Sequence, residues 1–149
     1  MIALTDQPFD PGALLSEFCR ARSETGAVAT FTGLARAERG ETATLELEAY
    51  PGFTEAAIGE IADQARARFG IDDLRVVHRI GKIAPGEAIV FVATAATHRR
   101  AAFEACDFMM DYLKSRAPFW KKETGPSGDR WIEPRAQDHA DIARWESKP

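Results

Sequence analysis

The sequence has little cysteine, little histidine and no long hydrophobic run. Two of its 149 residues are cysteine: Cys19 and Cys106, far apart and in helix-like contexts. They match neither a zinc spacing nor a redox pair and read as small core residues in a reducing compartment. Three histidines, His78, His98 and His139, are too scattered for a metal motif. The longest apolar run, Ala88 to Ala96 with one threonine inside, falls far short of the ~20 residues a membrane span needs. The stretch Met1 to Asp6 has neither a basic segment nor a long apolar one, so no signal peptide is read and a cytoplasmic chain is expected. Positive charge is not in excess: 19 Lys plus Arg face 23 Asp plus Glu, a net charge of −4. That balance argues against coating nucleic acid. A Gly-rich phosphate loop, a Ser-His-Asp pattern and a CxxC pair are all missing.

What is present fits one domain spanning residues 1–149, with 45% hydrophobic and 28% charged residues. Ile2 to Leu4 reads as a short strand. Asp10-Pro11 reads as a helix start, with Leu14, Leu15, Phe18 and Cys19 as its apolar stripe. Gly26 restarts the chain into a β-rich run, Ala27 to Gly33. Residues 35–42 are polar with a central glycine and read as an exposed loop. Thr44 to Tyr50 alternates as a half-buried strand. Pro51-Gly52 turns it, Thr54 is placed as the next cap, and Ile58, Ile61, Ala62, Ala65 and Phe69 recur at helical spacing up to Gly70.

Leu74 to Ile80 and Ala88 to Thr97 read as strands joined through Pro85-Gly86. A long helix is expected from about His98 to Arg116, with Phe103, Cys106, Met110 and Leu113 on one stripe, stopped by Pro118. Phe119 to Thr124 is extended, Gly125 to Gly128 turns, Trp131-Ile132 returns as a strand, and the residues through Trp145 are weakly helical. Strands and helices mix without βαβ alternation, so the fold class is α+β with a mostly antiparallel sheet.

Three clusters could carry chemistry. Thr97-His98-Arg99-Arg100 lies where a strand gives way to a helix. Cations at a helix N-terminus oppose the dipole and make sense if an anion docks there; the same residues also fit a solvated end. Lys114 suits a helix C-terminus, with Asp111 as an i,i+3 partner. In Phe119-Trp120-Lys121-Lys122-Glu123, alternation puts Phe119 and Lys121 on one face and Trp120 and Lys122 on the other. A partly buried lysine among cations has a lowered pKa suited to acid–base or nucleophilic work; an amphipathic strand with snorkelling lysines explains the pattern as well. Arg36 follows Thr32-Gly33-Leu34-Ala35 and could clamp an anion. His78-Arg79-Ile80-Gly81 reads as a strand end with a turn glycine rather than a catalytic histidine.

Taken together, these segments resemble the large-subunit family of molybdopterin synthase, from about Gly26 to Trp131. The carrying residues are Gly26-Ala27-Val28, Phe31-Thr32-Gly33 with Arg36, and Leu45-Glu46-Leu47-Glu48-Ala49-Tyr50-Pro51-Gly52. With them go His78-Arg79-Ile80-Gly81, Thr97-His98-Arg99, Met110-Asp111-Tyr112-Leu113-Lys114, Ala117 to Glu123 and Gly128-Asp129-Arg130-Trp131. The resemblance implies an α/β-hammerhead type fold and a central homodimer. Each large subunit would bind a small ubiquitin-like sulfur carrier, giving a heterotetramer. Sulfur would pass from the carrier's C-terminal thiocarboxylate to cyclic pyranopterin monophosphate, with no cofactor or metal at this step. It further implies that Lys114 and Lys121 are catalytic, and that Arg36, His98, Arg99 and Lys122 bind substrate, with the other subunit of the dimer a candidate source of His98 and Arg99. Lys122 sits at the site's edge as a rival of Lys121, and the family register favours Lys121. An adaptor that only docks a ubiquitin-like protein, or an RNA module using Trp120, are the competing expectations.

Overall fold

A computed structural model describes residues 1–37, 44–126 and 128–147. Most of the loop read at residues 35–42, and Ser127 in the second turn, lie outside the described residues. The chain runs β1 (Ile2–Thr5), α1 (Pro11–Cys19), β2 (Ala27–Leu34), β3 (Thr44–Ala49), α2 (Phe53–Phe69) and β4 (Asp73–Arg79). It continues β5 (Gly81–Ile83), β6 (Ala88–Ala96), α3 (Arg99–Ser115), β7 (Phe119–Gly125), β8 (Gly128–Ile132) and α4 (Ala136–Glu146).

The strands form two four-stranded sheets. The first has the order β1-β4-β6-β2, antiparallel except for the parallel β1–β4 pair. Its central strand β6 is apolar along nearly its whole length because both faces are covered. On one face Val90 and Val92 pack against Ile58, Ile61 and Ala65 of α2 and Ala105, Phe108 and Met109 of α3. On the other, Phe91, Ala93 and Ala95 meet Phe18 of α1. The second sheet, order β5-β3-β7-β8, is wholly antiparallel. A smaller cluster of Ala35, Leu47 and Ile83 lies beneath it. The α+β, antiparallel-dominated expectation therefore holds. The split into two sheets, and the three-residue strand β5 that completes the second, are not visible in the local pattern.

Several local expectations are met by specific contacts. Asp10 caps α1 by accepting a hydrogen bond from Gly12 N at 2.8 Å, with Pro11 at the first helical position. Gly70 ends α2 in the left-handed conformation, φ 61°. A side chain at Gly26 would collide with the Thr97 carbonyl, so only glycine lets β2 start beside the end of β6.

Three others are corrected. Thr54 is not the cap of α2: it is fully buried, accepts from Tyr50 N at 2.9 Å and donates to Pro118 O at 3.0 Å. The helix instead starts from Gly52, φ 79°, whose N–H is taken by Glu55 at 2.8 Å. Phe103 is 60% exposed rather than part of the α3 stripe, which runs through Ala102, Ala105, Cys106, Phe108, Met109 and Leu113. Cys19 is exposed at the end of α1, whereas Cys106 is buried as expected. Burial, with Asp107 adding repulsion, pushes the Cys106 thiol up to about 12, which leaves it inert.

Candidate active site

The second sheet and the C-terminal end of α3 line a cavity of about 550 Å³. Its walls come from the β2 end (Leu34 to Arg36), the inner face of β3 (Leu45, Leu47), His78 of β4, and Leu113, Lys114 and Ala117 around the end of α3. Alternate residues of β7 (Phe119, Lys121, Glu123), then Arg130 and Ile132 of β8 and the approach to α4, complete it.

Strand register decides which β7 side chains enter. Lys121 lies opposite Leu47 and Ile132, both lining residues, while Lys122 lies opposite Glu46 and Trp131. Residues directly paired across strands share a face. Lys121 therefore points into the cavity and Lys122 points out. Lys122 forms an ion pair with Asp129 at 3.1 Å and lies 5.9 Å from the Trp131 ring centre. The Asp129 carboxylate raises the Lys122 pKa. Placing Lys122 at the edge of the site is thus corrected: it lines a separate shallow hollow with Thr44, Glu46 and Lys82.

The cavity is locally basic. Arg36, Lys114, Lys121, Arg130 and Arg135 line it, against the carboxylates Glu123, Glu133 and Asp138. Two of those carboxylates are engaged. Glu123 holds Arg130 at 3.1 Å, and Asp138 accepts from the Arg135 backbone N–H at 2.8 Å. Burial, then the charges of Lys114 and Arg135, lower the Lys121 pKa; Asp138 and Glu123 oppose that shift. A lysine so placed reaches its neutral form closer to physiological pH, as proton transfer requires. Lys114 sits in the last turn of α3, where the helix dipole favours a cation. Its expected partner Asp111 is taken by α4 instead: Arg144 at 2.6 Å and the Trp145 indole N–H at 2.6 Å. Among the described residues Lys114 has no ion pair, and it lines the cavity.

His78 is the lining residue that sequence reasoning set aside. The residue is 8% exposed, and its ring stacks on Phe119 with centroids 4.1 Å apart. Desolvation chiefly, then Lys114 and Lys121, depress its pKa to about 4, so the ring is neutral at physiological pH. Arg130, Arg135 and Asp138 were also missed, because they arrive through the β7–β8 hairpin and the start of α4. The hairpin signal, Trp131-Ile132 returning after Gly125 to Gly128, was the available clue.

His98 and Arg99 are not brought to this cavity. They are exposed at the opposite end of α3, about 22 Å along the axis from Lys114 at 1.5 Å per residue. No helix of the described residues is long and apolar enough to cross a membrane. Nor do the described residues include a cluster of three or more metal-ligating side chains.

A basic, partly apolar cavity with a pKa-depressed lysine, lined by an antiparallel sheet on an α+β scaffold, is the kind of site an enzyme of anionic substrates requires. Comparison with known proteins makes this specific. The family model described as MoaE protein matches residues 4–116. A molybdopterin synthase catalytic subunit from Caulobacter vibrioides is 69% identical over 148 residues, 99% of each chain. The solved molybdopterin biosynthesis MoaE protein from Burkholderia ambifaria superimposes with a TM-score of 0.85 at 44% identity, covering 99% of both chains. A Helicobacter pylori complex of subunits 1 and 2 of molybdopterin-converting factor has a chain of the same fold, with TM-score 0.77 and 19% identity over 90% of this chain and 91% of that one. The chain belongs to the MoaE family of molybdopterin synthase catalytic subunits, and is an enzyme of molybdenum cofactor biosynthesis.

Proposed function

We propose that this chain, acting as one domain in the cytoplasm, transfers sulfur from the C-terminal thiocarboxylate of a small ubiquitin-like carrier to cyclic pyranopterin monophosphate. The product is the molybdopterin dithiolene. The observation that carries this reading is the convergence of Arg36, Lys114 and Lys121 on one cavity while Lys122 turns away. Both reactants are anions, and the cavity concentrates cations in a chain whose net charge is −4.

In this reading Lys114 meets the carrier's terminal carboxyl, where it stabilises charge or attacks the thioacyl carbon. Lys121 is the general acid–base in sulfur addition and in opening of the cyclic phosphate, the role its lowered pKa suits. Arg36 binds the phosphate from the end of β2. His98 and Arg99 serve the cavity of a second copy in a homodimer, since the length of α3 keeps them from their own. One carrier on each outer side completes a heterotetramer, in keeping with the two-subunit complex of the Helicobacter pylori protein. The simple adaptor is disfavoured, because docking alone requires no clustered cations around a small cavity. The test is to mix the protein with thiocarboxylated carrier and pyranopterin and to look for the dithiolene. Carrier binding without any dithiolene would overturn the sulfurtransferase reading.

A further inference from the structure

The His78 imidazole has one committed nitrogen and one free one. Nδ1 lies 2.8 Å from the Arg79 carbonyl oxygen. A carbonyl only accepts, so Nδ1 carries the hydrogen and Nε2 of the neutral ring keeps a lone pair. Stacking on Phe119 fixes the ring plane. Among the described residues Nε2 has no hydrogen-bond partner, yet it is not among the sealed, unpartnered polar atoms, which belong to Arg75 and Arg79. A partnerless nitrogen that is not sealed, on a side chain lining the cavity, is open to the cavity.

The other polar groups there are mostly donors, suited to anions. Glu123 is held by Arg130, Asp138 caps α4, and Glu133 sits on the exposed rim. The buried wall therefore offers Nε2 as an uncharged acceptor of fixed direction. A bound heterocycle with N–H groups needs such an acceptor, because a buried donor left unpaired weakens binding. Resting on the pterin substrate proposed above, we propose that His78 is a further substrate-contacting residue, whose Nε2 accepts a hydrogen bond from an N–H or O–H of the bound pterin.

Two conservative variants separate the ring's two roles. In His78→Asn the side-chain amide keeps a donor near the Nδ1 position and loses the distal acceptor. In His78→Gln an acceptor reaches the Nε2 position. His78→Asn is expected to raise KM for the pterin about three- to ten-fold with kcat within about two-fold, and His78→Gln to restore most of the loss. Unchanged KM in a folded His78→Asn protein, or equal losses in both variants, overturns the inference. Should the variants fail to fold, ¹⁵N NMR of histidine-labelled wild-type protein decides. At pH 7 Nε2 should be the unprotonated nitrogen, and adding the pterin should move its resonance more than that of Nδ1. A protonated Nε2, or one indifferent to the pterin, contradicts the assignment. Pterin binding without sulfur transfer in the wild type would instead sink the sulfurtransferase reading and leave the His78 contact standing.

Discussion

Lys121 and Lys122 are adjacent in sequence and occupy opposite chemical worlds. Lys121 enters the cavity beside Lys114 and Arg135, and burial there lowers its pKa. Lys122 faces out, pairs with Asp129 at 3.1 Å, and its pKa is raised. The backbone makes the difference: successive side chains of a strand alternate faces, and the register of β7 against β3 and β8 fixes which face is covered. A slip of one residue would exchange the two lysines, so the chemistry of the site depends on strand pairing as much as on residue identity.

The largest way to sharpen this contrast is Lys121→Ala. The chain should keep its fold and its carrier binding while sulfur transfer falls by about 10²–10⁴-fold, the usual worth of general acid–base catalysis. A second effect tests the other end of α3. Arg99→Ala should weaken pterin binding about ten-fold while slowing chemistry less, measured as KM against kcat. If the two ends of α3 serve different cavities, mixing Arg99→Ala with Lys121→Ala subunits should restore part of the activity, because some mixed dimers carry one intact cavity. Failure of the mixture to recover any activity would argue that each chain completes its own site.

A third test reads His78 through stability. Its folded pKa of about 4 lies below the ordinary value of 6.5. The unfolded chain binds the proton first, so stability is fully present above pH 6.5 and falls as pH drops towards 4. The loss attributable to this group is about 3 kcal/mol, read from urea unfolding over a pH series. His78→Gln should flatten that slope; an unchanged slope would show that the ring is not buried neutral. Asp73, whose burial is outweighed by its hydrogen bonds from Arg22 and the Leu74 N–H so that its pKa is lowered, keeps its stabilising contribution above its ordinary 3.8 and loses it only below that pH. The smallest effect is expected for Lys122→Ala, which removes an exposed ion pair and should leave turnover within about two-fold.

Much of this was legible in the sequence for physical reasons. The caps at Asp10 and Gly70, the turn at Pro85-Gly86 and the stop at Pro118 are local devices, and local devices survive folding. The pairing of Phe119 with Lys121 on one face followed from alternation alone, and the structure gives that face to the cavity. What escaped depends on distant parts of the chain. Phe103 fits the helical stripe by spacing, yet the stripe that packs is rotated towards Ala102 and Met109, where the first sheet and α2 lie. Asp111 is a good local partner for Lys114 and is captured by Arg144 from α4. His78 looked like a strand end because its neighbours Phe119, Lys114 and Lys121 come from far along the chain. The net charge of −4 misled in the same way: it describes the surface as a whole and hides the basic cavity.

The most direct measurement is the ratio of sulfur-transfer rates of Lys121→Ala and Lys122→Ala, taken in one assay with thiocarboxylated carrier and pyranopterin. The register of β7 predicts a Lys122→Ala rate near wild type and a Lys121→Ala rate at least about 10²-fold lower. Equal rates, or the opposite order, would contradict the claim that the covered face of β7 carries the chemistry.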